Sequence, residues 1–262
     1  MAYSTIELER EGDVAIIRLN DPATLNAVTL KTIEEIDSAL NEITGSARAM
    51  VMTGAGRAFC SGANLTGGMG VGQAEGPPDA GRVLESHINP LMLRLRDLPM
   101  PWVSAVKGSA AGVGCSFALA ADMIVVGESA FFLQAFARIG LVPDGGSSWL
   151  LTRAVGRARA MEMMLLGERI PAQKAFEWGM VNRLVPDDQL MSAATDIAKA
   201  LAAGPTKSLA MIRRMTWSAS DATFEDAMAT ERNNQREAGR TQDHREGVAA
   251  FIGKRPARFT GA

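Results

Sequence analysis

Cysteine and histidine are scarce in this chain of 262 residues, with two of each. Two cysteines cannot build the disulfide framework of a secreted protein of this length. The cysteines and histidines also show none of the spacings that hold zinc, so we predict no metal site. We therefore expect Cys60 and Cys115 to be reduced thiols and the protein to be cytoplasmic.

Charge of one sign and long apolar runs are lacking too. Lys and Arg number 27 against 29 Asp and Glu, for a net charge of −2, which favours no nucleic-acid partner. The most apolar stretch, Ala110–Ala121, is too short to span a membrane, and the charged first ten residues lack the apolar run of a signal peptide. Hydrophobic residues at 47% and charged residues at 21% exclude wholesale disorder.

Several common catalytic motifs are absent. No Gly-Lys-Ser/Thr sequence occurs, which excludes a P-loop, and Gly112-Val113-Gly114 lacks the third glycine of a dinucleotide fingerprint. No Gly-x-Ser-x-Gly elbow is present, so a serine-hydrolase triad has little support. The chain must be interpreted from less common features.

The first half alternates short β-branched runs with helical periodicity, which predicts an α/β layered core with right-handed crossovers. The predicted strands are Val14–Leu19, Ala49–Thr53, Val103–Val106 and Met123–Val126, and the predicted helices are Thr29–Ile43 and Gly114–Ala121. The second half is mostly helical, with one further strand at Val181–Val185. Its predicted helices are Ser147–Ala154, Arg157–Leu166, Ala172–Glu177, Asp188–Ala203, Thr206–Ser218, Phe224–Glu237 and Asp243–Ile252.

The segment Thr66–Gly81 is rich in glycine and proline and predicts a mobile loop. A surface linker is the simpler interpretation of its composition. The alternative is a lid over a ligand.

Two glycine-rich turns each follow a predicted strand, at Gly54–Leu65 and at Lys107–Cys115. Glycine allows a sharp turn and lets a ligand approach the backbone amides. An N–H at such a turn is a fixed positive dipole for developing negative charge, so two converging turns would form an oxyanion hole. On the residues alone, each turn is more simply a tight connection.

Asp144 lies in a third constellation, Gly140–Trp149. Its simpler interpretation is the N-cap of the helix that contains Trp149. The functional alternative is a carboxylate held near a pocket, with no lysine or histidine beside it in sequence.

Taken together, these residues resemble the crotonase family, also called the enoyl-CoA hydratase/isomerase superfamily. The resemblance covers nearly the whole chain. The supporting stretches are Leu25–Ala27, Phe59–Leu65, Lys107–Asp122, Val155–Met161, Ala175–Val185 and Glu246–Pro256. It implies a spiral of repeated ββα units over residues 1–200 and a helical C-terminal region over residues 201–262. It also implies a homotrimer or a dimer of trimers.

The resemblance further implies an acyl-CoA thioester substrate; no cofactor is expected, and coenzyme A enters only as part of that substrate. The family's oxyanion-hole amides fall on Ala63 and Val113, and each such donor is typically worth about 10²–10³ in rate. Phe251 and Lys254 match the contacts to the CoA adenine and phosphate. The remaining expected substrate-binding residues are Ser61, Gly62, Asn64, Leu65, Gly112, Ser116 and Phe136.

The two catalytic glutamates of the family's hydratases fall on Ser116 and Phe136, neither of which is a carboxylate. Asp144 lies where several isomerases carry their acid, and Ile139–Gly146 resembles the ring-expanding isomerases of phenylacetate catabolism. We therefore predict an isomerase that shifts an enoyl-CoA double bond or rearranges an epoxyphenylacetyl-CoA-type substrate, with Asp144 moving the proton.

Three alternatives stay open. An aryl-CoA dehalogenase would use Asp144 as nucleophile and would need a base, for which His87 is the candidate. An enoyl-CoA hydratase is disfavoured by the missing glutamates. A non-catalytic acyl-CoA-binding homologue would retain the fold without the reaction.

Overall fold

The structure, a computed structural model, describes residues 3–65 and 79–262. Its main sheet has six strands in the order β1-β2-β3-β4-β6-β9. Strands β1 and β2 are antiparallel, and every later neighbour pair is parallel. The strands are β1 (Ile6–Glu11), β2 (Val14–Leu19), β3 (Ala49–Gly54), β4 (Trp102–Val106), β6 (Met123–Gly127) and β9 (Arg183–Val185).

A second, smaller sheet is made of β5 (Ser109–Ala111), β7 (Phe131–Leu133) and β8 (Ile170–Pro171) in the order β5-β7-β8. A single bridge between Cys60 and Ala110 brings the segment after β3 alongside β5. Each repeat therefore gives a strand to the main sheet, turns sharply, and continues in the second layer before its helix. This is the repeated ββα arrangement that the resemblance implies.

The helices between and after the strands are mostly amphipathic. They are α1 (Leu30–Ile43), α2 (Gly81–Val83), α3 (Asn89–Arg96), α4 (Val113–Leu119), α5 (Ser147–Leu166), α6 (Ala172–Glu177), α7 (Leu190–Ala202), α8 (Thr206–Ala219), α9 (Phe224–Ala238) and α10 (Gln242–Ile252). A π-helical turn over Leu84–Ile88 joins α2 to α3. Short 3-10 helices lie at Pro22–Thr24, Phe136–Ile139 and Asp187–Gln189.

The main sheet is covered on both faces, which explains why β3 is buried at every residue. Because side chains alternate along a strand, Ile17 and Met52 pack on the large core that includes α1, while Ile16 and Val51 pack on the other side. There α7 presents a stripe at every fourth residue, made of Leu190, Ala194, Ala198 and Ala202. Small side chains on that stripe let the helix lie close to the strands.

The predicted strands and helices are confirmed, with ends that differ by at most two residues. Three points complete the comparison. The predicted strand Val181–Val185 begins only at Arg183. The predicted gap between the helices Ser147–Ala154 and Arg157–Leu166 is present within α5 as a break at Gly156, whose φ of 77° and ψ of 162° are not helical. The strands β1, β5, β7 and β8 and the helical stretch around α3 were not predicted.

Two predictions concern regions that the fold leaves untested. Most of the predicted loop Thr66–Gly81 lies outside the described residues, which resume at Asp79. The boundary between a core over residues 1–200 and a C-terminal region over residues 201–262 stays a prediction. Among the described residues, no helix is long and apolar enough to cross a membrane.

Arg213 anchors α8 to the sheet. Its side chain is 5% exposed and forms an ion pair with Asp122, and it donates to the carbonyl oxygens of Leu95 and Leu98. Asp122 also accepts a 2.8 Å hydrogen bond from the Trp102 amide. Burial raises the pKa of Asp122, although Arg213 acts in the opposite direction.

We predict that Arg213→Ala destabilises the protein by about 3 kcal/mol, because it leaves the Asp122 carboxylate and two carbonyl groups buried without their partner. Urea unfolding followed by circular dichroism measures the change. The control is Arg240→Ala, which removes an exposed ion pair with Glu237 and should cost less than about 1 kcal/mol. Equal effects of the two substitutions would contradict the anchoring role.

Candidate active site

The two glycine turns predicted from the sequence lie against each other. Gly62 has a φ of 105° and Gly112 has a φ of 51°, values that favour glycine. A methyl group added to Gly62 would lie 3.9 Å from the Cα atom of Gly112, and one added to Gly112 would lie 3.8 Å from the Cα atom of Gly62. The convergence that an oxyanion hole requires is therefore present in the backbone.

The amides that follow these glycines have no acceptor within the described residues. Val28 donates to the Gly62 carbonyl and accepts from the Asn64 amide, both at 2.8 Å. This parallel bridge turns the N–H of Ala63, which lies between them, away from Val28. Val113 is the first residue of α4, where a helix leaves its N–H groups without an internal partner.

Asn26 holds the first turn in place and was not assigned a role from the sequence. It is 2% exposed and has a φ of 58°. Its amide nitrogen donates to the carbonyls of Ala55 and Ala58 at 2.9 and 2.8 Å, and its amide oxygen accepts from the Asp21 N–H at 2.9 Å. The only sequence signal was its place in the stretch Leu25–Ala27.

The turn that carries Asp144 differs from the N-cap predicted as its simpler role. The N-cap of α5 is Gly146, and no side chain caps this helix. The Ser147 amide donates to the Asp144 carbonyl at 3.0 Å, and the two residues between them, Gly145 and Gly146, have φ values of 56° and 80°. These features describe a type I′ β-turn, which needs positive φ at both central positions. The N-cap interpretation of Asp144 was wrong.

The Asp144 side chain is consequently left without a hydrogen-bond partner. Its Oδ1 atom is buried and finds none among the described residues. Burial raises the pKa of this carboxyl group to about 6, since a low-dielectric environment disfavours the charged form. An unpartnered carboxyl with a pKa near neutrality has the properties of a proton-transfer group.

The Asp144 turn packs directly on the start of α4. A methyl group added to Gly145 would lie 2.8 Å from the Cβ atom of Ser116 and 3.5 Å from Cγ2 of Val113. The Ser116 hydroxyl donates to the Asp144 carbonyl at 3.1 Å and lies 2.6 Å from the Ser147 hydroxyl. Gln134 in turn donates to the Ser147 hydroxyl at 3.0 Å. The structure thus brings together Asp144, Ser116 and Val113.

Phe136 also reaches this region. It is 8% exposed, and its Cζ atom would lie 3.7 Å from a methyl group added to Gly112. The ring tip therefore faces the second glycine turn. Neither Phe136 nor the fully buried Ser116 offers a carboxylate at the positions where the resemblance places the hydratase glutamates.

The other predicted binding residues are more dispersed. Ser61 donates to the Thr24 carbonyl at 2.8 Å, and Leu65 is 56% exposed. Asn64 is half-buried next to Ala63. Phe251 at the end of α10 is 86% exposed, and Lys254 follows it with a φ of 49°. The structure of the single chain shows no contact of these last two residues with Asp144.

An aromatic cavity of about 620 Å³ lies beside the Asp144 turn and is lined in part by Gly145 and Gly146. Trp149 and Trp217 stack at a centroid separation of 5.0 Å on one of its walls. The guanidinium of Arg153 covers the Trp149 ring at 4.0 Å. This stack fixes α5, which begins just after the turn, against α8.

A family model described as enoyl-CoA hydratase/isomerase matches residues 9–262. The chain belongs to the enoyl-CoA hydratase/isomerase family. It is 41% identical over 253 residues to the 1,2-epoxyphenylacetyl-CoA isomerase of Escherichia coli K12, covering 96% of each chain. It is also 41% identical over 261 residues to a "Probable enoyl-CoA hydratase" of Rhodobacter capsulatus, covering both chains in full.

The fold of this enoyl-CoA hydratase/isomerase family member agrees with solved structures. The crystal structure of an enoyl-CoA hydratase from Polaromonas sp. JS666 superposes with a TM-score of 0.90 at 34% identity, covering 97% of this chain and 99% of the other. The crotonase fold is therefore confirmed. Because relatives of equal identity are named isomerase and hydratase, the reaction must be argued from the site.

We predict that Gly145→Ala destabilises the protein by about 1–3 kcal/mol more than Gly140→Ala. Both glycines have positive φ, so alanine is strained at each. A methyl group at Gly145 meets the buried Ser116, whereas at Gly140 nothing lies within 4 Å. Urea unfolding of the two variants isolates the steric contribution, and equal losses would show that the turn does not pack on α4 as described.

Proposed function

We propose that this protein is an acyl-CoA isomerase, with Asp144 as the proton-transfer group. Its substrate is a 3-enoyl-CoA, converted to the 2-enoyl isomer, or an epoxyphenylacetyl-CoA-type thioester. The observation that carries the proposal is the buried Oδ1 atom of Asp144, which has no partner among the described residues. It belongs to a turn whose Gly145 packs against Val113 and Ser116 at the start of α4. The name of the E. coli relative supports the same class of reaction.

The double-bond shift needs only these groups. The Asp144 carboxylate removes a proton from carbon 2, and the electron pair moves toward the thioester carbonyl to form a dienolate. The N–H groups of Ala63 and Val113 stabilise the negative charge that develops on the carbonyl oxygen. The protonated carboxyl then returns a proton to carbon 4, which completes the shift and regenerates the carboxylate.

A hydratase would need a second polar group to activate water. In this chain the two corresponding positions carry a buried hydroxyl, already engaged by Asp144 and Ser147, and a phenyl ring. An apolar ring at that corner disfavours an ordered water molecule. The site chemistry therefore favours isomerisation over hydration, in spite of the hydratase name of the R. capsulatus relative.

The remaining parts of the substrate are assigned by resemblance. Phe251 and Lys254 are proposed to contact the adenine and phosphate of coenzyme A in a homotrimer or a dimer of trimers. The reaction is a proton transfer in which no electrons leave the substrate, so no cofactor is proposed and coenzyme A takes part only as a portion of the thioester substrate. The proposed location is the cytoplasm, without nucleic-acid or membrane partners.

We predict that kcat/KM falls about tenfold per pH unit below pH 6, because the base form of Asp144 is lost there. The carboxyl pKa is raised to about 6, so activity is full above this value and decreases below it. Asp144→Asn should lower kcat by about 10²–10⁴-fold and abolish deuterium uptake at carbon 2 of 3-hexenoyl-CoA in D₂O. Thioester affinity and the unfolding midpoint serve as controls for binding and folding.

An Asp144→Asn variant that stays active, and whose kcat/KM falls below pH 6 as in the wild type, would overturn this role. A covalent adduct on Asp144 with a halobenzoyl-CoA would favour the dehalogenase instead. That reaction needs a base, and the hydrogen bond that the structure shows for the His87 ring goes to the neighbouring Ser86. Thioester binding without deuterium uptake in the wild-type protein would favour the non-catalytic homologue.

We predict that the wild-type protein interconverts 3-hexenoyl-CoA and 2-hexenoyl-CoA at least about 10²-fold faster than it forms 3-hydroxyhexanoyl-CoA. The physical reason is the missing second carboxylate, since one positioned acid–base group contributes typically 10²–10⁴ in rate. NMR of the product mixture, with an epoxyphenylacetyl-CoA analogue as a parallel substrate, measures the ratio. Formation of the 3-hydroxy product at a comparable rate would contradict the assignment.

A further inference from the structure

We propose that Ser116, Ser147 and Gln134 form a directed chain of hydrogen bonds that positions Asp144 for proton transfer. The chain ends on the Asp144 carbonyl oxygen and never touches the carboxyl group. These three are positioning residues, since they act on the reaction only through Asp144. The proposal rests on the proposed function for its effect on rate, but its effect on the Asp144 carboxyl can be measured without any turnover.

The direction of the chain follows from counting protons. The Ser116 hydroxyl has one hydrogen, which it donates to the Asp144 carbonyl at 3.1 Å. The 2.6 Å contact between the two serine hydroxyls must therefore be donated by Ser147. Ser147 has then used its own hydrogen and accepts from the Gln134 amide at 3.0 Å. Each donor polarises the next, which strengthens the last bond in the series.

Every residue in this series of hydrogen bonds is shielded from solvent. Ser116, Ser147 and Gln134 are each 0% exposed. In such surroundings a hydroxyl that loses its partner has no water to replace it, so the members enforce one another's geometry. The chain also links three elements, since Ser116 lies on α4, Ser147 begins α5 and Gln134 directly follows β7.

These hydrogen bonds hold the backbone of Asp144 and make no contact with its carboxyl group. Its carbonyl oxygen accepts both the Ser116 hydroxyl and the Ser147 amide, which uses the acceptor capacity of that oxygen. With Gly145 packed on Ser116, the backbone that carries the Asp144 side chain is held in one position. The polar groups thus stabilise the turn, while the buried Oδ1 atom of Asp144 has no partner among the described residues.

The test compares Ser116→Ala and Ser147→Ala with a matched control, Ser104→Ala. Ser104 is also 0% exposed and also donates a single hydrogen bond to a carbonyl of α4, that of Ala118, at 2.9 Å. All three variants lose a buried hydroxyl, but only the first two interrupt the series of hydrogen bonds that ends on the Asp144 carbonyl. The readouts are kcat, KM, the unfolding midpoint, and the titration of Asp144 by NMR of protein labelled with carboxyl-¹³C aspartate.

We expect Ser116→Ala to lower kcat about 10–100-fold with less than a threefold change in KM, and to move the Asp144 titration toward lower pH. Ser147→Ala should do the same, and the double variant should cost little more than Ser116→Ala alone, because the bonds act in series. Ser104→Ala should lower the unfolding midpoint by a similar amount while leaving kcat and the titration as in the wild type.

Two outcomes would overturn the proposal. One is an Asp144 titration in Ser116→Ala and Ser147→Ala that is identical to that of the wild type. The other is a loss of kcat in Ser104→Ala equal to theirs, which would reduce the effect to general destabilisation. If the titration moves as expected but the wild-type protein shows no isomerase activity, the positioning chain stands and only the proposed function fails.

Discussion

A half-buried carboxyl group, with one oxygen buried and without a partner among the described residues, is the constraint on which the candidate site depends. Leaving Asp144 in that condition is unfavourable, since a desolvated carboxylate is held at a cost that the raised pKa of about 6 reflects. Such a group persists only where the surrounding structure fixes its backbone. Here the type I′ turn, the contact of Gly145 with Ser116 and the two bonds to the Asp144 carbonyl supply that rigidity.

The same positions explain how a hydratase-like fold can favour another reaction. The family resemblance places carboxylates at Ser116 and Phe136, and neither position is simply vacant. Ser116 is engaged in hydrogen bonds that support Asp144, and the Phe136 ring closes on Gly112. Under the proposed function, the carboxylates at positions 116 and 136 are replaced by a single carboxylate at Asp144. The site then transfers a proton and does not activate water.

Much of the fold could be predicted because its main strands and helices carry strong periodic patterns. The strand Val14–Leu19 and the helix Ala172–Glu177 were predicted at their observed bounds. Strands of two or three residues, such as Ser109–Ala111, give no pattern of their own, since the larger layers around them impose their pairing. The contact of Gly62 with Gly112 could be anticipated as a possibility, but only the second sheet layer brings the two turns together.

The N-cap misassignment of Asp144 has a similar origin. An Asp that precedes a helical segment satisfies the N-cap pattern, whereas Gly145-Gly146 equally satisfies that of a turn with two positive φ values. Local sequence does not choose between them. The choice is made by packing on Ser116, a residue 28 positions away. The Ser116 hydroxyl and the Ser147 amide both donate to the Asp144 carbonyl, which closes the turn.

A second buried carboxyl in the same chain shows that the isolation of Asp144 is specific to its site. Asp122 is also shielded from water, and burial also raises its pKa. Yet Asp122 has Arg213 and the Trp102 amide as partners, and it joins the C-terminal helices to the sheet. At Asp122, where the carboxylate serves stability, the fold supplies a cation and an N–H group. At Asp144 the nearby Ser116 hydroxyl donates to the backbone carbonyl, and the carboxyl oxygen Oδ1 has no partner among the described residues. A group that takes and then returns a proton needs a carboxyl without a tightly bound partner. Such a partner would hold the carboxyl in one protonation state.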